Sequence, residues 1–216
     1  MPALLPRAFE LLAALRSAPA FHPDGVLYEG RAEVRGQGPL SPGEVDCLVR
    51  TSKGIGTPRG VGDLLGIAVR LLHDPPVDVL ATTAPGGDGW RRYLLRPRRT
   101  WSGATLTSLM WWRSPTGERL QVVVEAPDGL DSPEPEVLLD QLPVTFTLRV
   151  VGPAGEAQAG TIRVERRSDL TRPDFDPVLH PPLPWRLGPR WMAALRARAY
   201  VGSRAGQPQG TSGRAV

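Results

Sequence analysis

Short apolar runs separated by glycine and proline are the feature that most constrains the fold of this chain. Its 216 residues include 24 glycines and 24 prolines, which fall between the apolar runs and not in one block. This pattern is typical of strands joined by turns. It predicts about eight strands, at 26–36, 45–52, 67–74, 77–83, 144–152 and 159–167 and as a hairpin over 105–127.

Helical signals lie mainly at the two ends of the sequence. Apolar residues at helical spacing predict a helix over 7–17, and a proline at the favoured first position predicts another over 189–204. A short helix is predicted at 137–142, and the Pro-rich stretch 172–189 is predicted to cross the fold in extended form. We therefore predict an α+β, mainly β fold. It is an antiparallel β-barrel with N-terminal and C-terminal helices in one domain, 1–204, followed by a flexible tail, 205–216.

Charge and composition narrow the partners that we expect. The formal net charge is +4, and its positive part is almost entirely arginine spread along the chain. The one dense basic run, 91–99, is interpreted as a solvated loop or a cofactor-facing rim, with nucleic-acid binding as a minor alternative. No apolar stretch reaches the ~18 residues of a membrane helix. We expect a soluble, cytoplasmic monomer or homodimer with no nucleic-acid or membrane partner.

Several local patterns lack the residues or the spacing that a known functional motif requires. The loop GIGTPRG (54–60) lacks the Gly-Lys-Ser/Thr ending of a phosphate loop, and Lys53, the only lysine, precedes its glycines. His73 and His180 have no local ligand spacing, so a zinc site is not expected. Cys47 is the only cysteine and lies in an apolar alternation, which favours a buried small apolar residue over a nucleophile.

Arg196 and Tyr200 are four residues apart in the predicted C-terminal helix and therefore share one of its faces. A neighbouring cation lowers the pKa of a phenol, and a tyrosine oxygen is one of the known axial ligands of haem iron. The same spacing also fits a plain cation–π or packing pair on an amphipathic helix. Taken alone, the pair favours this second interpretation.

Five segments in sequence order together resemble the catalase superfamily, over roughly residues 20–204. HPDGVLYEG (22–30) resembles the segment in which the distal histidine opens His-x-x-Gly-x-x-x-x-Gly. LVRTS (48–52) is similar to Val-Arg-Phe-Ser, and GDLLGIAVRL (62–71) to the strand that follows it. VDVLATT (77–83) falls where catalases have Trp-Asp-Leu-Val-Gly-Asn-Asn. RARAYVGSR (196–204) is similar to the end of small catalase-related haem peroxidases, which carries Arg-x-x-x-Tyr.

The resemblance implies a haem b site and a role for each matching residue. Tyr200 would be the proximal iron ligand, with Arg196 holding it as tyrosinate. His22 would be the distal acid/base that moves a proton between the two peroxide oxygens. Ser52 would hydrogen-bond His22 and fix its ring, and Arg50 would pair with a haem propionate. The substrates would be peroxide and an unknown small-molecule reductant.

Three departures from the catalase pattern change this expectation. The Asn-Asn pair is replaced by Thr82-Thr83, so a hydroxyl of Thr83 would stand in for the distal amide donor. Thr51 and Ile67 replace two aromatic residues, which is expected to remove aromatic surface from the haem side. We therefore expect weak disproportionation of hydrogen peroxide at best, and a peroxidase acting with organic donors or hydroperoxides. The alternative is a haem-free barrel that binds another small ligand or a partner.

Overall fold

A computed structural model describes residues 25–36, 38–85, 94–171 and 173–188. Within this part of the chain there are ten strands and one 3₁₀ helix, Pro135–Gln141. The strands are β1 Gly25–Val34, β2 Gly43–Lys53, β3 Leu65–Leu71, β4 Val77–Thr83, β5 Thr105–Thr107, β6 Trp111–Arg113, β7 Arg119–Glu125, β8 Val144–Gly152, β9 Gly155–Arg167 and β10 Arg186–Gly188. The predicted terminal helices and the tail 205–216 lie outside the described residues, and the boundary at 204 stays a prediction.

Eight of these strands close into an antiparallel barrel. Neighbouring strands pair in the order β1-β2-β3-β4-β5-β7-β8-β9, and β9 pairs back onto β1. β6 and β10 extend from β7 as a small ribbon beside the barrel. The prediction of a mainly β, eight-stranded antiparallel barrel is confirmed. In the described part of the chain, no helix is both long enough and apolar enough to cross a bilayer.

The barrel interior is filled by apolar side chains, as is usual for barrels of this size. The largest fully buried side chains come from strands and connections all around the barrel: Trp101, Trp112, Tyr28, Phe146 and Leu65. The 3₁₀ helix packs against the interior through buried Pro135 and Leu138. Tyr28 and Thr51 both donate hydrogen bonds to the carbonyl of Pro135, at 2.7 and 3.1 Å. These bonds give the hydroxyl groups of Tyr28 and Thr51 an acceptor inside the barrel.

The predicted hairpin over 105–127 is in fact three strands, β5, β6 and β7. Ser108 explains the break, because its side chain enters the strand ladder. Its backbone N–H donates to Val122 O, and its hydroxyl accepts from Val122 N at 3.0 Å. The same hydroxyl donates to Met110 O at 2.9 Å. A serine that bonds its own backbone locally competes with regular strand pairing, and the chain turns away after Thr107.

Gly30 sits where β1 approaches β9 most closely. The register of this pair shifts between Glu29 and Gly30, which marks a β-bulge. A Cβ at position 30 would overlap the backbone carbonyl of Arg163, so only glycine fits. The second glycine of the His-x-x-Gly-x-x-x-x-Gly pattern therefore has a structural reason.

Candidate functional site

Strands β1 to β4 present two different faces, because side chains alternate along a strand. Strand register aligns the faces in rows of four. One inner row, which packs into the main core, is Val26, Thr51, Ile67 and Ala81. Two neighbouring rows face the outside, and we call them together the outer platform: Gly25, Ser52, Gly66 and Thr82, then Leu27, Arg50, Ala68 and Leu80. The first outer row lies at one end of the barrel and contains no side chain larger than threonine, and we call it the floor.

Arg50 supplies a buried cation on this platform. Its relative exposure is only 6%, although it lies on an outer face of the barrel. Its side chain reaches the first residue of β1, where a Cβ on Gly25 would lie 2.6 Å from the guanidinium carbon. Gly25 is therefore the residue that makes room for Arg50. In general, a guanidinium can bind a carboxylate or phosphate with two parallel hydrogen bonds.

Ser52 lies beside Gly25 in the adjacent strand and is 4% exposed. Its hydroxyl donates a long hydrogen bond of 3.5 Å to Gly66 O. Gly25, the register partner of Ser52, is three residues after His22 in the sequence. His22, Arg196 and Tyr200 themselves lie outside the described residues, so their predicted roles stay predictions.

The two threonines of β4 face opposite sides of the barrel wall. Thr82 is aligned with Gly66 on the outer platform, whereas Thr83 falls in the inner set and is 2% exposed. Thr82 Oγ1 donates to Leu65 O at 3.0 Å, and Thr83 Oγ1 accepts from Leu65 N at 3.2 Å. The platform-facing residue is thus Thr82 and not the predicted Thr83. The proton of Thr82 already has a backbone acceptor, so β4 aims no free amide or hydroxyl donor at the platform.

Thr51 and Ile67 correct another expectation. Both belong to the inner row, where Thr51 is 0% and Ile67 is 2% exposed. The residues that replace the two catalase aromatics therefore change the packing of the barrel interior. They do not remove aromatic surface from the outer platform. The expectation of lost aromatic surface on the haem side is therefore not supported for a ligand on the outer platform, because strand alternation points these two residues to the opposite face.

An ion cluster that we did not predict lies one row beyond the platform. Asp78 is fully buried and accepts two hydrogen bonds from Arg70, Nε to Oδ1 at 2.7 Å and Nη2 to Oδ2 at 2.6 Å. Its Oδ2 also accepts from the backbone N–H of Asp176 at 2.7 Å and lies 3.0 Å from His180 Nδ1. In return, Asp78 N–H donates to His180 O. This clamp fixes the Pro-rich segment to β3 and β4, which agrees with the predicted crossing at 172–189.

The clamp places Phe175 on the platform. Phe175 packs with Leu27 and Ala68 in a small apolar cluster separate from the main core. The Arg70 guanidinium carbon lies 5.4 Å from the centre of the Phe175 ring, at the distance of a cation–π contact. The platform thus has an apolar wall beside its floor and its buried cation. His180 shows no ligand spacing in the sequence, and the sequence signal of the clamp is a charged residue inside each of two adjacent apolar strands, Arg70 in β3 and Asp78 in β4.

The loop GIGTPRG is organised around a side chain of its own chain. The carboxylate of Asp63 accepts hydrogen bonds from the N–H groups of Ile55, Thr57 and Leu64, at 2.6 to 2.8 Å, and from the Thr57 hydroxyl. Burial alone would raise the pKa of Asp63, but these hydrogen bonds hold it below its ordinary value. The amides that a phosphate would need are already used, which agrees with rejecting a nucleotide site.

Two further side chains that the sequence singles out, Lys53 and Cys47, are buried in the fold. Lys53 Nζ lies 3.1 Å from the Glu134 carboxylate and is 3% exposed, so the single lysine belongs to a largely buried ion pair. Cys47 is 1% exposed, and burial raises the pKa of its thiol to about 12. The prediction that Cys47 is a buried small apolar residue is confirmed.

Comparisons with known proteins add no assignment. No protein-family model matches the chain, and no curated protein matches it either. The likeness to catalase-related proteins therefore depends on the segments quoted above and remains a prediction. What the described residues bring together is Ser52 and Arg50, on one face and in adjacent rows, with Thr82 in place of Thr83.

Proposed function

We propose that this chain is a haem-dependent peroxidase of the catalase-related kind, acting on hydrogen peroxide or organic hydroperoxides. The observation that carries the proposal is the buried Arg50 beside a floor of residues no larger than threonine. A flat ligand with carboxylate groups, such as haem b, suits this combination of shape and charge. The need for Gly25 beneath the Arg50 guanidinium provides a reason for one glycine of the resembling segment.

Each residue would have a limited task. Arg50 would pair with a propionate, and Tyr200, held as tyrosinate by Arg196, would bind the iron. His22 would accept a proton from one peroxide oxygen and return it to the other, with Ser52 fixing its ring. Bound haem would supply the redox chemistry that cleaves the O–O bond. The electrons for turnover would come from an external small-molecule reductant.

The surroundings of Thr82 favour peroxidase over catalase activity. A second hydrogen peroxide must be oriented before it can act as reductant, and an amide donor on β4 would provide that orientation. Here the Thr82 proton is given to Leu65 O, and Thr83 faces inward. The same observation is compatible with a second candidate function, in which a haem-free barrel binds another carboxylate-bearing ligand at Arg50. Such a ligand would not need a donor from β4.

The first test is a titration of hemin into the full-length protein, followed by absorption between 350 and 700 nm. We expect saturable 1:1 binding with a high-spin ferric spectrum that is lost or shifted in Tyr200→Phe. Arg50→Leu should weaken the affinity roughly 10- to 100-fold, the range for losing a hydrogen bond to a charged group. Arg163→Leu, at a side chain 54% exposed on β9, is the matched control and should bind as wild type.

The outcomes separate the two candidate functions. Binding that does not need Tyr200 would remove the assigned iron ligand, and no saturable binding would overturn the haem proposal. In the second case, a thermal-shift screen of aromatic carboxylates against wild type and Arg50→Leu tests the haem-free alternative. A ligand that stabilises wild type but not Arg50→Leu would establish it.

A further inference from the structure

The loop that follows β2 is a rigid projection. Asp63 holds it from inside through the hydrogen bonds to Ile55 and Thr57, and the Thr57 hydroxyl also lies 3.1 Å from Val61 O. A turn bond from Val61 N–H to Pro58 O closes the tip. The exposed side chains of this loop are therefore presented in fixed positions and not on a freely moving segment.

Two of those exposed side chains are aliphatic. Ile55 is 52% and Val61 is 48% exposed, and the exposed Arg59 lies between them in the loop. An isolated exposed aliphatic residue needs no explanation, but here two lie in one short loop, on either side of an exposed arginine in the sequence. Such a combination is typical of surfaces that enter the boundary between water and lipid.

A second basic segment lies directly against this loop. Asp63 and Arg98 form a two-way backbone bridge, with N···O distances of 2.9 and 2.8 Å. The aliphatic stem of Arg99 lies beside Gly62, next to Val61: a Cβ on Gly62 would be 3.1 Å from Arg99 Cγ. We call the loop 54–62 together with 94–99 the basic rim. Its exposed arginines are Arg59, Arg96 and Arg99.

The positive charge of the basic rim is not cancelled by its own residues. Neither segment contains an acidic residue. Asp63, directly behind the loop, is fully buried and hydrogen-bonded inward. Glu134 is 14% exposed, and its Oε1 is used by Lys53 Nζ and by Gly60 N–H. The rim therefore faces solvent as a cationic surface with aliphatic tips.

We propose that the basic rim docks the protein on the surface of an anionic lipid bilayer. Arginines near such a surface are attracted to anionic headgroups by about 1 kcal/mol each, or about fivefold in affinity. The aliphatic tips distinguish this partner from a nucleic acid, since phosphates offer nothing for Ile55 and Val61 to bury against. This proposal departs from the expectation of no membrane partner, which depended on the absence of a spanning segment; docking at a surface requires none. It is independent of the haem proposal.

The test is co-sedimentation of the full-length protein with vesicles of phosphatidylcholine alone or with 30% phosphatidylserine. We expect binding to the anionic vesicles only, weakened at high salt because screening shortens the range of attraction. Arg59→Ser/Arg99→Ser should reduce the affinity roughly 30-fold, and Arg59→Lys/Arg99→Lys should retain most of it. Ile55→Ser/Val61→Ser should reduce it by roughly tenfold.

The matched controls lie at the opposite end of the barrel. Leu72 is 47% exposed just beyond β3, and Arg35 is exposed just beyond β1; Leu72→Ser and Arg35→Ser should bind as wild type. Equal binding to both vesicle types, or equal losses in rim and control variants, would overturn the proposal. Tight binding of a DNA or RNA duplex that needs the arginines but survives Ile55→Ser/Val61→Ser, with no vesicle binding, would assign the rim to nucleic acid instead.

Discussion

Replacing Asp78 by asparagine should destabilise the protein strongly, although it changes only one carboxylate oxygen to an amide nitrogen. The carboxylate is fully buried and accepts from both Nε and Nη2 of Arg70, whose side chain is 14% exposed. Removing one partner of a buried ion pair costs about 3–5 kcal/mol, because the remaining charge stays desolvated. Asparagine keeps one acceptor oxygen, so we take the lower end, about 3 kcal/mol. For a chain of this length that is a decrease of roughly 6–12 °C in Tm.

Urea unfolding monitored by tryptophan fluorescence and far-UV circular dichroism measures this loss. Glu44→Gln breaks the exposed Arg31–Glu44 pair, 3.0 Å long, and serves as the matched control with little expected change. Arg70→Met/Asp78→Asn removes both buried charges, keeps an acceptor oxygen for the Asp176 N–H, and should recover part of the stability. The reasoning would be refuted if Asp78→Asn were as mild as Glu44→Gln, or if the double variant were less stable than Asp78→Asn.

Three other changes test the local geometry. Gly30→Ala should cost about 3 kcal/mol or more in unfolding free energy, because the added methyl overlaps the Arg163 carbonyl; a loss under 1 kcal/mol would contradict the bulge. Asp63→Asn should destabilise at pH 7, and the difference from wild type should shrink as the pH falls below about 4. A carboxyl whose folded pKa lies below its unfolded value stabilises above the unfolded pKa and loses that contribution on acidification. Cys47, with its thiol pKa raised to about 12, should react with a thiol reagent at pH 8 only in denaturant; rapid reaction of the native protein would disagree.

The strands were predictable because their signals are local. The predicted segments 77–83 and 144–152 coincide with β4 and β8, each bounded by turn residues. The hairpin 105–127 was misread because its interruption depends on the Ser108 hydroxyl bonding Val122, a contact between two strands. Apolar periodicity reports which residues are buried, but it does not report where a polar side chain replaces the backbone in a ladder.

The candidate site was predictable in part for the same reason. Arg50 and Ser52 are two residues apart in one strand, so alternation alone puts them on one face. The clamp could not be found that way, because Asp78 and His180 are 102 residues apart and meet only through the crossing of the Pro-rich segment. Phe175 reaches the platform by the same crossing. Contacts of this kind depend on tertiary register, which a single sequence does not contain.

Whether a residue difference in a strand can change ligand binding at the platform depends on which face of the sheet carries that side chain. Thr51 and Ile67 differ from the resembling family, yet both point into the barrel and leave the platform unchanged. Thr82 does face the platform, and its proton is given to Leu65 O. Under the proposed function, Arg50 beside Gly25 and the floor of small residues would bind the ligand. A donor from β4, which would orient a small peroxide, is absent at Thr82. The proposal therefore predicts that a larger hydroperoxide, which needs less orientation by a hydrogen bond, reacts better than hydrogen peroxide.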